Sequence, residues 1–401
     1  MPELARRMGR AKQSAIMLVA ERARQLKAQG RDIISFSIGV PNFLPGEHVY
    51  AAAREALAAD SGQYGSNRGT DALLDAFLAH LDRAGLTGYR RANCATGIGA
   101  KHVLFNLCEA LLEEGDGFAF ATPYWTTYAD IGALLGAAVR LLPCPPGQDY
   151  KLVPAQLEAA LAARPKVFLF NNPSNPTGMV YTREEIAALA EVIARHPDTW
   201  VITDDIYHRM VFDGVGYHNF LHVRPELRDR VIFVDSLSKT YGMPGWRVGF
   251  MAGPEPVAAA LTALNSTHVT NVPEVVTAAA IAALSGPQDV PAEKCAEFQQ
   301  RRDRVLDALA QIPGLVCPRP QGAFYAFPDV SIAFGRTHAP TGLRIDDDVD
   351  LCNALLEAKG LACVPGSAFG EPRALRISYT CPAPQLEPGL QRFREFFAEL
   401  A

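Results

Sequence analysis

The sequence predicts an α/β fold with a largely parallel sheet, followed near the C-terminal end by a smaller α/β lobe. Apolar, strand-like runs alternate along the chain with stretches rich in alanine, leucine and glutamate, which is the pattern of successive βαβ units. A chain of 401 residues, 49% of them hydrophobic and 20% charged, can bury a large core and favours a division into two lobes.

The elements follow in order along the chain. Helices are predicted over 47–59, 70–82, 100–113, 183–195 and 292–311, and Gly115, Pro197 and Pro313 stand at or just beyond three of their ends. The stretch from about 331 to 345 carries glycine and proline and is predicted to be a loop. A helix over 348–359 and strands over 361–364 and 374–378 then make up the smaller lobe.

Composition and charge exclude several classes of function. A net charge of -5 gives no electrostatic reason to expect nucleic acid or an anionic membrane as partner. No segment approaches the length of a transmembrane helix. The eight cysteines are scattered, without a CxxC pair or a Cys/His cluster. This pattern predicts a reduced, cytoplasmic protein without a metal site.

Four apolar runs end in residues that can carry chemistry. Ligands of open parallel sheets bind beyond the carboxyl ends of the strands, so four such endings predict one pocket. The endings are Tyr124 and Trp125 after 118–121, the segment 171–178 after 167–170, Asp204, Asp205 and Tyr207 after 200–203, and Ser236, Ser238 and Lys239 after 231–234.

Each ending also has a plain structural explanation: a turn for the Asn-Pro pairs, a helix cap for Asp204, core packing for Trp125, and a surface loop for Lys239. Their combination favours chemistry. A lysine at the edge of a core can lose its proton and attack a carbonyl. The glycine-containing segment 97–101 precedes a predicted helix whose N-terminus can hold a phosphate. A phosphate seat, an aromatic plate, a carboxylate and such a lysine together suit pyridoxal 5'-phosphate.

Two motifs carry a family resemblance. The Asn-Pro-x-Asn-Pro-Thr-Gly segment at 172–178 and the Ser-x-Ser-Lys…Gly-Trp-Arg-x-Gly segment at 236–249 resemble those of the class I/II aminotransferases, the fold-type I pyridoxal phosphate enzymes, and most closely the bacterial aspartate aminotransferase branch. The resemblance implies a mostly parallel seven-stranded sheet sandwiched by helices. It also implies an N-terminal arm and part of the small domain at 1–45, a large cofactor-binding domain at 46–290 and a small domain at 291–401.

The resemblance also implies roles for individual residues. Lys239 would form the Schiff base with the cofactor and move the proton, Asp204 would pair with the ring nitrogen, and Tyr207 would hydrogen-bond the ring's phenolic oxygen. These three are the expected catalytic residues. The cofactor would further contact Gly99, Ala100, Lys101, Trp125, Asn175, Ser236, Ser238 and Arg247, together with Tyr64 of a neighbouring subunit in a homodimer with shared active sites. The substrate would contact Gly39, Trp125, Asn175 and Arg376.

The implied reaction is ping-pong transfer of an amino group from an L-amino acid to a 2-oxo acid. Lys101 stands where one bacterial group places a lysine near the distal carboxylate of the substrate, which favours aspartate and glutamate. Ile16 stands where related enzymes often have threonine, which weakens that case and disfavours prephenate. Two alternatives stay open: an aromatic or kynurenine substrate, and a lyase or amino acid oxidase using the same cofactor on the same fold. A regulator is disfavoured because the chain has no spare DNA-binding module.

Overall fold

The computed structural model describes residues 3–11, 15–59 and 62–401. Its strands are β1 (Ile34–Ser35), β2 (Cys94–Gly97), β3 (Gly117–Thr122), β4 (Ala138–Pro143), β5 (Val167–Asn171), β6 (Trp200–Asp204), β7 (Val231–Ser236), β8 (Gly249–Ala252), β9 (Tyr325–Ala326), β10 (Arg336–His338), β11 (Leu343–Ile345), β12 (Leu361–Ala362), β13 (Val364–Pro365) and β14 (Leu375–Ser378).

The α helices of the described residues are α1 (Ala15–Ala28), α2 (Glu47–Ala58), α3 (Asp71–Arg83), α4 (Ala100–Leu111), α5 (Thr127–Leu135), α6 (Pro154–Ala162), α7 (Arg183–Arg195), α8 (Phe220–Val223), α9 (Leu237–Thr240), α10 (Glu255–His268), α11 (Glu274–Ser285), α12 (Asp289–Leu309), α13 (Asp348–Lys359) and α14 (Ala383–Ala398). The helices predicted from sequence are present, with ends displaced by at most three residues. Within the part of the chain that the structure describes, no helix combines the length and apolar character needed to cross a bilayer.

A seven-stranded sheet forms the centre of the molecule. Its order is β2-β8-β7-β6-β5-β3-β4. Neighbours from β7 through β4 pair in parallel, whereas β8 runs antiparallel to both β7 and β2. The predicted mostly parallel seven-stranded sheet is therefore confirmed. All four strands whose endings carried the site prediction belong to the parallel part, so their carboxyl ends meet at one edge.

The strands β5, β6, β7 and β8 of this sheet are buried on both faces, which explains why they are nearly continuous apolar runs, whereas the edge strand β4 is mostly exposed. Successive side chains of a strand point to opposite faces. Phe168 and Phe233 pack in one buried cluster, together with α3, α7 and α11, whereas their neighbours Leu169 and Val234 pack in a second cluster with α4 and α10. A polar residue is tolerated only where a strand leaves the core. That is the edge at which the site residues lie.

A second core lies between the C-terminal elements and the N-terminal strand. Phe324, Leu355, Leu390 and Phe393 are among its buried residues. The antiparallel sheet β13-β14-β9 and the parallel pair β1-β12 flank this core. The β1-β12 pairing brings the N-terminal segment against the C-terminal elements.

The prediction of a loop over 331–345 is wrong. This stretch contains a 3-10 turn (Ser331–Ala333) and the antiparallel hairpin β10-β11. The strand β10 is also held from outside, because the backbone of Thr337 exchanges hydrogen bonds with Ala401 in both directions, at 3.1 and 2.9 Å. That partner is more than sixty residues away in the chain, so local composition does not reveal it; Pro340 and Gly342 only mark the turn of the hairpin.

Candidate active site

The four strand endings surround one cavity of about 430 Å³. The structure brings most of the predicted site residues to its wall: Gly39, Ala100, Lys101, Trp125, Asn175, Asp204, Tyr207, Ser238, Lys239, Arg247 and Arg376. Gly99 directly precedes the wall residue Ala100, and Ser236 stands two residues before the wall residue Ser238. Tyr64 is elsewhere on this subunit.

Lys239 lies at the base of the cavity on the short helix α9. The helix begins where β7 ends, and Ser236 caps it by accepting a 3.2 Å hydrogen bond from the N–H of Ser238. The Nζ of Lys239 donates a 2.6 Å hydrogen bond to the carbonyl oxygen of Gly39. Burial, followed by the positive charge of Arg376, lowers the pKa of Lys239 to about 8. About one molecule in ten therefore carries a neutral amine at about pH 7, far more than for an ordinary lysine, and this form can act as a nucleophile or base.

Asp204 ends β6 with one carboxylate oxygen bonded and the other free. Oδ2 accepts a 2.5 Å hydrogen bond from the hydroxyl of Tyr128, whereas Oδ1 is buried without a hydrogen-bond partner. Burial raises the pKa of Asp204 to about 6. A buried acceptor of this kind needs a donor. The protonated ring nitrogen of pyridoxal phosphate is such a donor, so Asp204 fits the cofactor.

The N-terminus of α4 forms a phosphate seat. Gly99 caps the helix with a φ of +83° and the first N–H groups of the helix are left for a ligand. A Cβ at Gly249 would lie 2.5 Å from the backbone nitrogen of Ala100, so only glycine allows this approach. Arg247 is held beside the seat by hydrogen bonds to the carbonyl oxygens of Pro244 and Ile98, at 2.8 and 3.3 Å. The hydroxyl of Ser238 lines the same cavity.

Arg376 is a rigid, buried guanidinium on β14. It donates to the carbonyl oxygen of Ser37 at 2.7 Å and to the side-chain oxygen of Asn175 at 3.0 Å. Its guanidinium lies 4.6 Å from the ring centre of Tyr325 and 4.9 Å from that of Phe369. The remaining nitrogen, Nε, is buried without a partner. A carboxylate is the ligand that such a fixed fork recognises best.

Tyr207 and Gly39 are placed by one residue that the sequence did not single out, Tyr325. The hydroxyls of Tyr207 and Tyr325 are 2.8 Å apart. A Cβ at Gly39 would lie 2.1 Å from the hydroxyl oxygen of Tyr325, so position 39 must be glycine while Tyr325 keeps this place. The phenol of Tyr207 thereby has a fixed direction into the cavity.

Trp125 and Lys101 form the opposite wall. The Lys101 Nζ lies 5.0 Å from the ring centre of Trp125, and that ring packs edge-on against Tyr128 with centres 5.5 Å apart. Desolvation of its ammonium group and the nearby charge of Arg247 lower the pKa of Lys101. Lys101 is therefore held at the cavity and does not extend freely into solvent.

Sequence reasoning gave no site role to Tyr128 or Tyr325, and it included Asn171 only as the first residue of the strand ending 171–178. Asn171 donates to the carbonyl oxygen of Asp204 at 2.7 Å and accepts from the N–H of Asn175 at 2.8 Å, so it joins two strand endings. Its position at the end of β5 was a usable signal. Tyr128 lies inside α5 and Tyr325 in a lobe distant in sequence, and neither carries a local pattern that distinguishes it from a core tyrosine.

Tyr64 does not reach the cavity of its own subunit. It is 89% exposed and lines a separate cavity of about 230 Å³ beside Asn271. An aromatic ring this exposed in a single chain is available to a second copy.

The match to known proteins covers nearly the whole chain. Residues 31–393 match the family model described as aminotransferase class I and II. The chain belongs to the class I and II aminotransferase family. It is 39% identical over 394 residues to an aspartate/prephenate aminotransferase of Cereibacter sphaeroides and 36% identical over 394 residues to an aspartate aminotransferase of Geobacillus stearothermophilus, covering 98% of each chain in both cases.

Solved aminotransferase structures agree with this membership. The structure of an aspartate aminotransferase from Rhizobium meliloti superimposes with a TM-score of 0.96 at 35% identity over 100% of both chains. That of the Thermus thermophilus enzyme with maleate gives 0.91 at 30% identity over 99% of this chain and 100% of the other. The fold-type I architecture, the pyridoxal phosphate dependence and the bacterial aspartate aminotransferase branch expected from the motifs are confirmed, and the chain is an aminotransferase.

Proposed function

We propose that this aminotransferase transfers the amino group of aspartate- or glutamate-type substrates to a 2-oxo acid in a ping-pong cycle. The observation that carries the proposal is the arrangement around Lys239. Its amine, with a pKa lowered to about 8, lines the same cavity as the carboxylate of Asp204, one oxygen of which has no hydrogen-bond partner, and the buried guanidinium of Arg376. A proton-transfer group, a partner for the ring nitrogen and a carboxylate-binding group are the three parts that transamination needs.

The cofactor-holding residues are assigned as follows. Pyridoxal phosphate, when bound, supplies an aldehyde that exchanges amines and a ring that accepts electrons from the substrate's Cα. The N-terminus of α4, the hydroxyls of Ser236 and Ser238 and the charge of Arg247 would hold its phosphate. Asp204 Oδ1 would accept from the ring nitrogen, Tyr207 and Asn175 would donate to the phenolic oxygen, and Trp125 would cover one ring face.

Lys239 is the residue that holds and moves the proton. In its neutral form, Nζ would take a proton from the substrate's Cα. It would then deliver this proton to the cofactor carbon C4′, which lies on the other side of the transferred nitrogen. The carbonyl oxygen of Gly39, 2.6 Å from Nζ, orients the amine at the floor of the cavity. Asp204 stabilises the charge that develops, because its carboxylate is preorganised by Tyr128 and shielded from water.

The substrate's two ends meet different cations. Arg376 binds the α-carboxylate through the two nitrogens that are fixed by neighbouring contacts, with Asn175 beside it. Among the described cationic groups of the cavity wall, the ammonium group of Lys101 is the one not yet assigned to the phosphate, the α-carboxylate or the proton, and we assign it to a distal carboxylate. The names of the relatives, aspartate and aspartate/prephenate aminotransferases, support the same substrate class.

One observation favours aromatic substrates as a second candidate. Part of the cavity wall is apolar, because Ile16, Met17, Ile38 and Val40 line it. Met17 is 59% exposed, and Ile38 and Val40 are 41% and 43% exposed, so these side chains are available to a large apolar group. Such a wall gives no hydrogen bond to a second carboxylate.

We further propose that the enzyme works as a cytoplasmic homodimer of two-domain subunits. Tyr64, which is exposed and remote from its own cavity, would donate to the cofactor phosphate of the partner. The free cysteines of the described chain, most of them buried, suit a reducing compartment. The separate cores around the seven-stranded sheet and around β13-β14-β9 support a large domain at 46–290 and a small domain at 291–401 joined by part of 1–45.

The test is a half-reaction with single amino acids. Purified holoenzyme is mixed with L-aspartate, L-glutamate, L-phenylalanine or L-kynurenine, and the absorbance of the bound cofactor and the 2-oxo acid product are followed. We expect stoichiometric conversion to the amine form with aspartate and glutamate, and none in Lys239→Ala. A Lys101→Met variant should lose aspartate conversion and keep phenylalanine conversion. Release of ammonia without the amine form would refute transamination, and phenylalanine alone as substrate would refute the acidic class.

A further inference from the structure

A buried cluster of two histidines and an aspartate lies behind the cofactor site. His80 comes from α3, Asp235 from the end of β7, and His208 from the segment that follows β6. All three are at least 95% buried. The Nε2 of His80 lies 3.0 Å and the Nδ1 of His208 3.6 Å from the same oxygen of Asp235, Oδ2. This cluster was not predictable from the sequence, because its members come from a helix, a loop and a strand that are distant in the chain.

Asp235 and His208 are each linked to a residue proposed to hold the cofactor, and His80 acts on them through Asp235. The other oxygen of Asp235, Oδ1, accepts a 2.7 Å hydrogen bond from the N–H of Ser236, in the phosphate seat. His208 follows Tyr207 directly in the chain, and its Nδ1–H donates a 3.0 Å hydrogen bond to the carbonyl oxygen of Asp205. The cluster therefore ties the ends of β6 and β7 together at the point where both strands deliver cofactor contacts.

The charge of Asp235 also acts on the catalytic carboxylate. Burial by itself raises the pKa of Asp235, but the facing imidazoles of His208 and His80 bring it below its ordinary value, so the group is ionised. Its negative charge in turn raises the proton affinity of Asp204 on the neighbouring strand. Negative potential at this position favours a protonated ring nitrogen, which is the form that draws electrons from the substrate.

A metal centre is the competing explanation for the same three side chains, whose ligand atoms lie within 4.8 Å of one another. Two features oppose it. The Nδ1 of His208 already carries the proton donated to the carbonyl oxygen of Asp205 and is no free ligand. On the outer side of the cluster, a cavity of about 280 Å³ is lined by the cations Arg83 and Arg209. The first removes one of the three ligand atoms, and the second repels an incoming cation.

We propose that His80, Asp235 and His208 form a positioning unit that sets the place of Ser236 and Tyr207 and increases the negative potential at Asp204. The inference rests on the cofactor-holding roles proposed above. It assigns these three residues an effect on cofactor affinity and on the proton-transfer rate, without contact with the substrate.

The experiment compares Asp235→Asn and His80→Gln with a matched control, His338→Gln. His338 is equally buried, and its Nε2 lies 2.8 Å from a carboxylate oxygen of Glu399, but this pair is in the small lobe, remote from the cofactor residues. Apoenzymes are titrated with pyridoxal phosphate, pyridoxal and inorganic phosphate, and holoenzymes are assayed by steady-state kinetics. Thermal unfolding of each apoenzyme reports the purely structural cost.

For Asp235→Asn we expect affinity for pyridoxal phosphate and kcat each to fall on the order of tenfold, which corresponds to one pKa unit at the ring nitrogen, while KM for the amino acid stays unchanged. His80→Gln should weaken inorganic phosphate binding more than pyridoxal binding, because the carboxylate that holds Ser236 loses its partner. His338→Gln should lower thermal stability only. Unchanged cofactor affinity in both cluster variants refutes the proposal.

Two further outcomes have a definite meaning. Stoichiometric zinc or iron in purified holoenzyme, lost in Asp235→Asn, would overturn the positioning role in favour of a metal centre. If the cluster variants do not fold, the conservative His208→Asn variant replaces them, since Asn keeps a donor near the carbonyl oxygen of Asp205; its cofactor affinity must then fall less than that of His208→Ala, and equal losses refute the role. A wild-type protein that binds the cofactor without transaminating would refute the proposed function and leave these affinity comparisons valid.

Discussion

Replacing Tyr128 with phenylalanine tests how Asp204 is kept ionised. The substitution removes the 2.5 Å hydrogen bond to Oδ2 and leaves the ring packing against Phe120 and Trp125 in place. A hydrogen bond to a charged group is worth about 1.5–3 kcal/mol, and one pKa unit is about 1.4 kcal/mol. The pKa of Asp204 in the apoenzyme, about 6 in the wild type, should therefore rise by about one to two units.

The consequence is a pH-dependent loss of cofactor affinity. The protonated ring nitrogen needs an ionised carboxylate, and a carboxyl with a pKa of about 8 is ionised in roughly one molecule in ten at about pH 7. Affinity of the Tyr128→Phe apoenzyme for pyridoxal phosphate should thus fall up to about tenfold at neutral pH. The loss should shrink as the pH rises through the new pKa, because the missing hydrogen bond affects the ionised carboxylate equally before and after binding.

The assay is a fluorescence titration of apoenzyme with pyridoxal phosphate at several pH values from about 6 to 9. Tyr124→Phe is the matched control, since Tyr124 packs on the same ring of Phe120 but is not bonded to Asp204. We expect the control to follow the wild type throughout. If the affinity of Tyr128→Phe for pyridoxal phosphate is lowered by the same factor at every pH, the reasoning is refuted, because such a loss indicates a packing defect and no change in the protonation of Asp204.

Three other substitutions give distinct outcomes. Because the pKa of Asp204 is about 6 in the fold and 3.8 as the ordinary value, wild-type apoenzyme should lose up to about 3 kcal/mol of stability as the pH rises from about 4 to just above 6; urea unfolding of Asp204→Asn should lack this loss, and a variant with the same pH profile as the wild type would contradict it. Gly39→Ala should lower kcat by on the order of 100-fold by displacing the hydroxyl of Tyr325, measured by 2-oxo acid release; near-normal turnover would show that Tyr325 can move freely. Arg376→Lys should lower kcat/KM on the order of 100-fold, since lysine cannot replace the guanidinium fork that Ser37 and Asn175 orient, and the substrate carboxylate loses two hydrogen bonds of about 1.5 kcal/mol each; kinetics with alternative amino acids should show the same loss for all of them, and a loss confined to aspartate would place Arg376 at the distal carboxylate.

The large sheet was predictable because its physics is local. A strand buried on both faces must be apolar throughout, and a polar residue marks the point where it leaves the core. The apolar runs ending at Asn171, Asp204 and Ser236 therefore predicted both that these segments are strands and that a ligand lies at their ends. The motifs then assigned most of the cavity wall residue by residue.

What the sequence did not reveal depends on partners distant in the chain. The hairpin β10-β11 is stabilised because its first strand pairs with the C-terminal residue. The glycine and proline in its turn led to the prediction of a loop. Tyr325 orients Tyr207 only because the small lobe folds back over the strand ends. The cluster of His80, Asp235 and His208 arises where a helix crosses two strand ends, and no spacing encodes such a crossing.

The balance of charge in the cavity explains why Lys239 can be reactive before any ligand arrives. Lys101, Arg247 and Arg376 all lower the proton affinity of Lys239, and Asp204 is the group that raises it. A cavity with this excess of cations is unfavourable in itself and is complemented by a phosphate and by substrate carboxylates. Each anion that binds should then raise the proton affinity of Lys239, so that the amine is most nucleophilic while the cavity is empty and becomes a better proton acceptor once substrate is in place. The same cations that bind the ligands thus adapt one lysine to two successive tasks.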